Sequence, residues 1–174
     1  FTLGMFILDE IHYEDESIPS KYDIIGGGGT FATMGARIVT PRTERHRIKF
    51  IIDEGSDFPE HVKSVLNQWD VDIEWRVDRK RLTTRGWNYY NADGSGRDFK
   101  YLAPLKRIEV SELEEVDCEG LHLICAVERC EQVVELVKRK QRDTVLMFEP
   151  VPYDCLSENR ERLLELIKDV DILS

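Results

Sequence analysis

Ile24-Ile25-Gly26-Gly27-Gly28-Gly29-Thr30-Phe31-Ala32-Thr33-Met34-Gly35-Ala36-Arg37-Ile38 is the stretch on which the reading of the fold turns. Two β-branched apolar residues run into four glycines, and the glycines into a small-residue segment of helical character. That order predicts a strand, a tight turn and a helix N-terminus. Glycine at such a junction permits φ > 0, and without a Cβ it lets a ligand rest against backbone whose N–H groups face it. Ala32, Gly35 and Ala36 fall on one helix face, which suits close packing on a sheet. A Walker loop does not fit, because no Gly-Lys-Ser/Thr follows. Gly27, Gly29 and Ala32 match the dinucleotide pattern, with Asp53 at a tolerable distance, so a dinucleotide-dependent oxidoreductase and a plain glycine-rich surface loop both stay open on this motif alone.

Upstream, Thr2 to Leu8 is an almost wholly apolar run, the pattern of a strand buried on both faces of a parallel sheet. Asp9 follows it. Ligands of open α/β sheets gather beyond the carboxyl ends of strands, so Asp9 is a candidate acceptor for hydroxyl groups, against the alternative of a solvated strand end. Ile11 to Tyr22, polar and holding Pro19, reads as a loop or short edge strand. Downstream, Ile48 to Ile52 is the next strand, and Pro59 opens a helix to about Trp69 with Val62, Val65, Leu66 and Trp69 at helical spacing. This alternation is that of a parallel-sheet α/β domain.

The pattern then changes. Val71 to Val77 alternates apolar and polar residues, and the segments 85–90 and 97–102 flank Asn91-Ala92-Asp93-Gly94-Ser95-Gly96, a hairpin turn. A hairpin inserted here is either a small sheet covering a ligand site or an edge decoration. Alternation resumes with a strand at 121–126, an amphipathic helix from Glu128 to Lys140, a strand at 144–148 ending in Glu149-Pro150-Val151-Pro152, a helix capped by Ser157, and the start of a strand at Val170. The strands near 3–8, 48–52, 121–126 and 144–148 are expected to lie parallel in one sheet with helices on both faces. His122, inside an apolar strand, reads as a satisfied core histidine.

Composition sets the outer limits. The chain has 174 residues, 41% of them apolar, a single-domain length and an ordinary globular make-up. Lys and Arg number 24 against 34 Asp and Glu, for a net charge of -10, which argues against a phosphate-backbone partner and so against nucleic acid. Cys118, Cys125, Cys130 and Cys155 make no C-x-x-C pair, so free thiols in a reducing compartment are expected, and no metal site. With no signal peptide and no apolar run of membrane-spanning length, a cytoplasmic protein that does not enter a membrane is the expectation.

Taken in order, these segments resemble a known family. Gly4 and Asp9 flank the first strand and Gly26 to Thr30 open a helix. Gly55-x-Asp57 follows the second large strand, Thr84-Arg85-Gly86 enters the hairpin, and the last segment is Val170-Asp171-Ile172-Leu173-Ser174. This order is similar to the N-terminal half of a pfkB carbohydrate kinase, with the ribokinase-like fold. The likeness is nearest to fungal proteins of the yeast maintenance-of-killer type, on Gly26 to Ile38, Phe99 to Pro104, Leu121 to Cys125 and Glu149 to Pro152.

The resemblance implies a three-layer α/β/α domain over residues 1–174, incomplete, with a mainly parallel sheet and a small β lid at about 71–102. It implies ATP-dependent phosphoryl transfer, with ATP and Mg2+ in the full-length protein, to a small sugar or sugar-like alcohol. Asp9, Gly26 and Gly27 match the family's substrate-binding positions. Phe31 stands where the family usually has Asn and would narrow the site or stack on the ligand. The family's general base and anion hole lie in a Gly-x-Gly-Asp motif that this sequence does not contain, so this chain alone is expected neither to hold ATP and Mg2+ nor to catalyse transfer. A fragment of a sugar kinase is therefore the reading, with a non-catalytic regulatory or binding protein of the same fold as the alternative. The sequence leaves the phosphate acceptor and the oligomeric state open.

Overall fold

Lys21–Gly26 is extended and Gly28–Val39 is helical, so the glycine run forms the strand-to-helix junction that its composition predicts. The computed structural model describes residues 1–140 and 143–174. Two compact units divide the chain, one of Met5–Lys106 and one of Phe1–Gly4 with Arg107–Ser174. The first holds β1 (Ile7–Tyr13), β2 (Lys21–Gly26), α1 (Gly28–Val39), β3 (Lys49–Glu54), α2 (Glu60–Leu66), β4 (Asp72–Val77), β5 (Arg85–Tyr90) and β6 (Arg97–Tyr101). The second holds β7 (Gly120–Cys125), α3 (Val127–Lys140), β8 (Val145–Pro150), α4 (Arg160–Leu166) and β9 (Ile172–Leu173).

Within the Met5–Lys106 unit, β3 and β4 pair in parallel through the α2 crossover. Phe50, Ile51 and Ile52 are consecutive and buried, as expected of a strand covered on both faces. Phe50 and Ile52 join Val62 and Leu66 of α2 and Trp69, Phe6, Leu8 and Phe58 in one core. Phe58 organises its aromatic part, 5.4 Å from the Phe6 ring and 5.5 Å, edge-on, from Trp75. The other sheet of this unit has the order β2-β1-β5-β6. β1 is antiparallel to β2 and parallel to β5, and β5 returns through the expected hairpin into β6, where Gly94 takes φ +70° at the turn.

In the second unit β7, β8 and β9 form a parallel sheet. Leu121, Leu123 and Cys125 alternate inward on β7, and Leu146 and Phe148 on β8. They are buried, as are Val133, Val134 and Leu136 of α3, the apolar face read from the sequence. His122 is indeed a satisfied histidine. Its Nδ1 lies 3.0 Å from Thr2 Oγ1 and its Nε2 3.1 Å from Glu149 Oε2. All four cysteines are free thiols. Burial pushes the Cys125 thiol up to about 11 and that of Cys130 to about 12, so both are protonated packing groups at neutral pH.

Several expectations need correction. Among the described residues the hydrogen bonds make three sheets, not one, with β3 and β7 in different ones. The first strand does not run from residue 3 to 8. Thr2 makes a lone parallel bridge to His122, and the Thr2 hydroxyl then accepts from Gly4 N–H at 3.0 Å, a local bond that takes the place of ladder pairing. The regular strand starts at Ile7 and continues to Tyr13, so part of the expected loop 11–22 is strand, and Lys21–Gly26 is its antiparallel partner. Asp72–Val77, grouped by its alternation with the hairpin region, pairs with β3 instead. Ser157 does not cap a helix. It begins a 3-10 turn, and α4 starts after Asn159 with no side-chain cap.

Candidate functional site

Asp9 is the third residue of β1, opposite Gly86 of β5 and diagonal to Gly26 of β2. It is thus inside a paired strand, not at a solvated strand end. The carboxylate lies across both glycines. A Cβ on Gly26 would overlap Asp9 Oδ2, and a Cβ on Gly86 would overlap Asp9 Oδ1. Neither glycine has a positive φ, so glycine is required at both by close approach of a side chain, the usual meaning of glycine within a strand. Alanine at Gly26 would have to push the carboxylate aside, and we expect it to cost about 1–2 kcal/mol, read from urea unfolding.

The electrostatics of Asp9 single it out. Its Oδ1 is closed to solvent and has no hydrogen-bond partner among the described residues. Burial raises the Asp9 carboxyl above its ordinary range, while the Asn88 amide and the Arg97 charge pull it back. A carboxylate oxygen left in this state costs free energy, and donors such as ligand hydroxyls would recover it.

The other expected site residues are placed differently. Gly27 caps α1 with φ +93°, and a Cβ there would overlap Met5 O and lie 2.9 Å from Ile7 N, so this glycine is fixed by the backbone of its neighbour and not by the Asp9 carboxylate. One of the N–H groups at the start of α1 is already used, since Gly29 donates to Met5 O at 3.1 Å. Thr30 Oγ1 donates to Gly26 O at 2.6 Å and ties the first turn to the strand end. Phe31 follows on α1, 67% exposed. The structure thus brings Asp9 and Gly26 together, sets Gly27 beside them, and leaves the Phe31 side chain largely open.

On β5, one residue before Gly86 and opposite Leu8, Arg85 forms a charged node to which the sequence pattern assigns no role. Its Nε donates to Asp57 Oδ2 at 2.6 Å and its Nη1 to Asp23 Oδ1 at 2.9 Å, while Thr83 N–H donates to Asp57 Oδ1 at 2.7 Å. Burial alone would raise the Asp57 carboxyl, but the bonds from Thr83 and Arg85 outweigh it and hold it below the ordinary range. Arg85 is likewise disfavoured by burial and held charged by the two carboxylates. Asp23 sits at φ +53°, a conformation an aspartate tolerates, and its bond to Arg85 anchors β2 just ahead of Gly26. A depressed carboxyl contributes stability above its unfolded pKa and loses it as pH falls through the folded value. Asp57→Asn should therefore cost about 1–2 kcal/mol at pH 7 after solvent screening, with the difference from wild type closing in acid, checked by denaturation at both pH values.

Other buried charge is structural. Glu54, 2% exposed, is paired with Lys63 of α2 and, at 2.6 Å, with Arg79. Among the described residues no three His, Cys, Asp or Glu side chains are grouped to hold a metal ion. No helix among them is long and apolar enough to cross a membrane.

No family model matches the chain. In sequence it is 33% identical to Protein MAK32 of Saccharomyces cerevisiae over 98% of its own length and 50% of that protein's. It is 37% identical to protein C16C9.01c of Schizosaccharomyces pombe over 99% and 49%. The chain thus spans about half the length of these relatives. Among solved structures, ribokinase from Giardia lamblia superposes with a TM-score of 0.67 at 13% identity, covering 99% of this chain and 55% of that one. Adenosine kinase from Anopheles gambiae gives 0.66 at 15%, covering 99% and 65%. Fructokinase from Xylella fastidiosa with bound ATP gives 0.60 at 15%, covering 99% and 59%. The chain is a relative of fungal proteins of the maintenance-of-killer type, and its fold is the ribokinase-like α/β fold of pfkB-type kinases.

Proposed function

We propose that this chain is the substrate-side part of a pfkB-type kinase that phosphorylates a hydroxyl of a small sugar-like alcohol. The observation that carries the reading is the Asp9 carboxylate, held against Gly26 and Gly86 with one buried oxygen unpartnered among the described residues. Asp9 accepts hydrogen bonds from substrate hydroxyls, and the missing Cβ at Gly26 is what lets the carboxylate lie there. Gly27 keeps the strand-to-helix turn in place, and Phe31, exposed on α1, narrows the site or stacks on the ligand. The four-stranded sheet that carries Asp9, with the β5–β6 hairpin, serves as the lid of the single ribokinase-like domain. ATP with Mg2+ supplies the transferred phosphoryl group, and the groups that hold it belong to the remainder of the full-length protein, which acts in the cytoplasm on a small molecule and not on nucleic acid.

Phe31 favours a second reading, because an aromatic ring at the family's Asn position removes an amide that binds hydroxyls. On that reading the protein keeps the fold and binds a sugar-like ligand without turning it over. The two are separated by assaying full-length protein with ATP, Mg2+ and a panel of sugars and nucleosides. Turnover that Asp9→Asn reduces supports the kinase, and Asp9-dependent binding without turnover supports the binding protein. The 174-residue chain alone should show no ATP turnover with any sugar, because a missing base and anion hole cost several orders of magnitude in rate. Turnover by the isolated chain above a mock preparation would contradict this.

A further inference from the structure

The face of the small sheet that carries Asp9 is not a plain polar surface. Strand registry puts Gly86 opposite Tyr101 and Asn88 opposite Phe99 on the hairpin, so Asp9, Gly86, Asn88, Phe99 and Tyr101 share one side. Phe99 reaches over Gly86. Its Cε2 would lie 2.7 Å from a Cβ there, the position that Asp9 Oδ1 approaches from the other side. The carboxylate and the edge of the phenyl ring therefore meet over the same glycine. Phe99 and Tyr101 pack edge to face with centroids 4.9 Å apart and are 40% and 43% exposed. The Arg97 guanidinium lies 5.7 Å from the Phe99 centroid and is close enough to Asp9 to act on its charge.

We infer that the ligand of the Asp9 site carries a planar aromatic or heteroaromatic group beside its hydroxyls, and that Phe99 with Arg97 forms the subsite for that group. This rests on the proposed role of Asp9 as a hydroxyl acceptor. A free sugar offers hydroxyls to the carboxylate but nothing that gains from a half-exposed phenyl edge. A planar ring covers that edge, removes apolar surface from water and stacks under the guanidinium, as aromatic and cationic side chains do with π systems. Only a compound with both parts satisfies the buried oxygen of Asp9 and the ring beside it at once. Glycine at position 86 is what allows the two subsites to touch.

The test uses full-length protein and paired probes that differ only in the planar group: ribose with adenosine, and glucose with phenyl β-glucoside, titrated by calorimetry. The aromatic member of at least one pair should bind tenfold or more tightly than its plain partner. Phe99→Leu and, independently, Arg97→Gln should erase that preference, while Asp9→Asn weakens the aromatic probe without erasing its preference over the plain sugar. Equal affinity within both pairs, or a preference that survives both Phe99→Leu and Arg97→Gln, overturns the aromatic subsite and leaves Asp9 as a simple sugar site. Absence of binding by all four probes overturns the hydroxyl-acceptor reading and this inference with it.

Discussion

Alanine at Gly27 is expected to destabilise the protein by about 2–4 kcal/mol and to lower its melting midpoint by roughly 10 °C. Two costs add. The residue sits at φ +93°, where an L side chain is strained by about 1–3 kcal/mol, and its Cβ would overlap the Met5 carbonyl oxygen and crowd Ile7 N. Neither neighbour yields cheaply, because both are backbone and Met5 O already accepts from Gly29 N–H at the start of α1. Urea unfolding is the check. A Gly27→Ala protein as stable as wild type would mean that the glycine run is a permissive loop after all. At Gly35, by contrast, a Cβ meets nothing within 4 Å among the described residues, so Gly35→Ala should be neutral or mildly stabilising within α1.

Asp9→Asn is expected to move stability and function in opposite directions. Burial raises the Asp9 carboxyl above its ordinary value of 3.8. In the pH window between the unfolded and folded values, the native state keeps a proton that the unfolded chain has lost. Stability therefore falls as pH rises through that window and stays reduced above it. An amide carries no such charge, so Asp9→Asn should be the more stable protein at pH 7, and the difference should vanish near pH 3, where both states of the wild type are protonated. Thermal melts at the two pH values read this directly. A ligand-binding carboxylate kept at a cost to stability is the trade expected of a functional site, whereas a structural aspartate would lose stability on the same change.

Parts of this account were legible in the sequence for identifiable reasons. The junction at Gly26 to Gly29 was readable because four glycines between a β-branched pair and a helix admit few structures, and Gly27 does take the positive φ. β3, β7 and β8 were readable as buried runs, and α3 from its apolar spacing. The small sheet was only half visible. Its hairpin is visible in Asp93-Gly94, but β1 continues past Leu8, where the apolar run ends, and mixed residues such as Glu10, His12 and Tyr13 lack the apolar signature of a doubly covered strand. Those residues extend the pairing with β2 and β5 in a sheet whose faces are only partly covered, where polar side chains are tolerated. For the same reason the place of Asp9, between two glycines more than fifty residues apart, could not be read from local pattern. Gly86 was the available signal, a single glycine inside a strand, which marks close approach without saying what approaches. Arg85 and its two carboxylates were likewise out of reach, since a charged node becomes visible only when distant segments meet.

On the proposed reading, Asp9 accepts hydrogen bonds from the hydroxyls of a bound ligand. The most direct test is calorimetric titration of a panel of sugars and nucleosides into full-length wild type and into Asp9→Asn, which preserves the shape of the side chain and removes its charge. Loss of a charged hydrogen bond worth about 1.5–3 kcal/mol predicts affinity for the bound member of the panel about tenfold to a hundredfold weaker in the variant. Unchanged affinity would contradict the account and leave Asp9 a buried carboxylate with no part in binding.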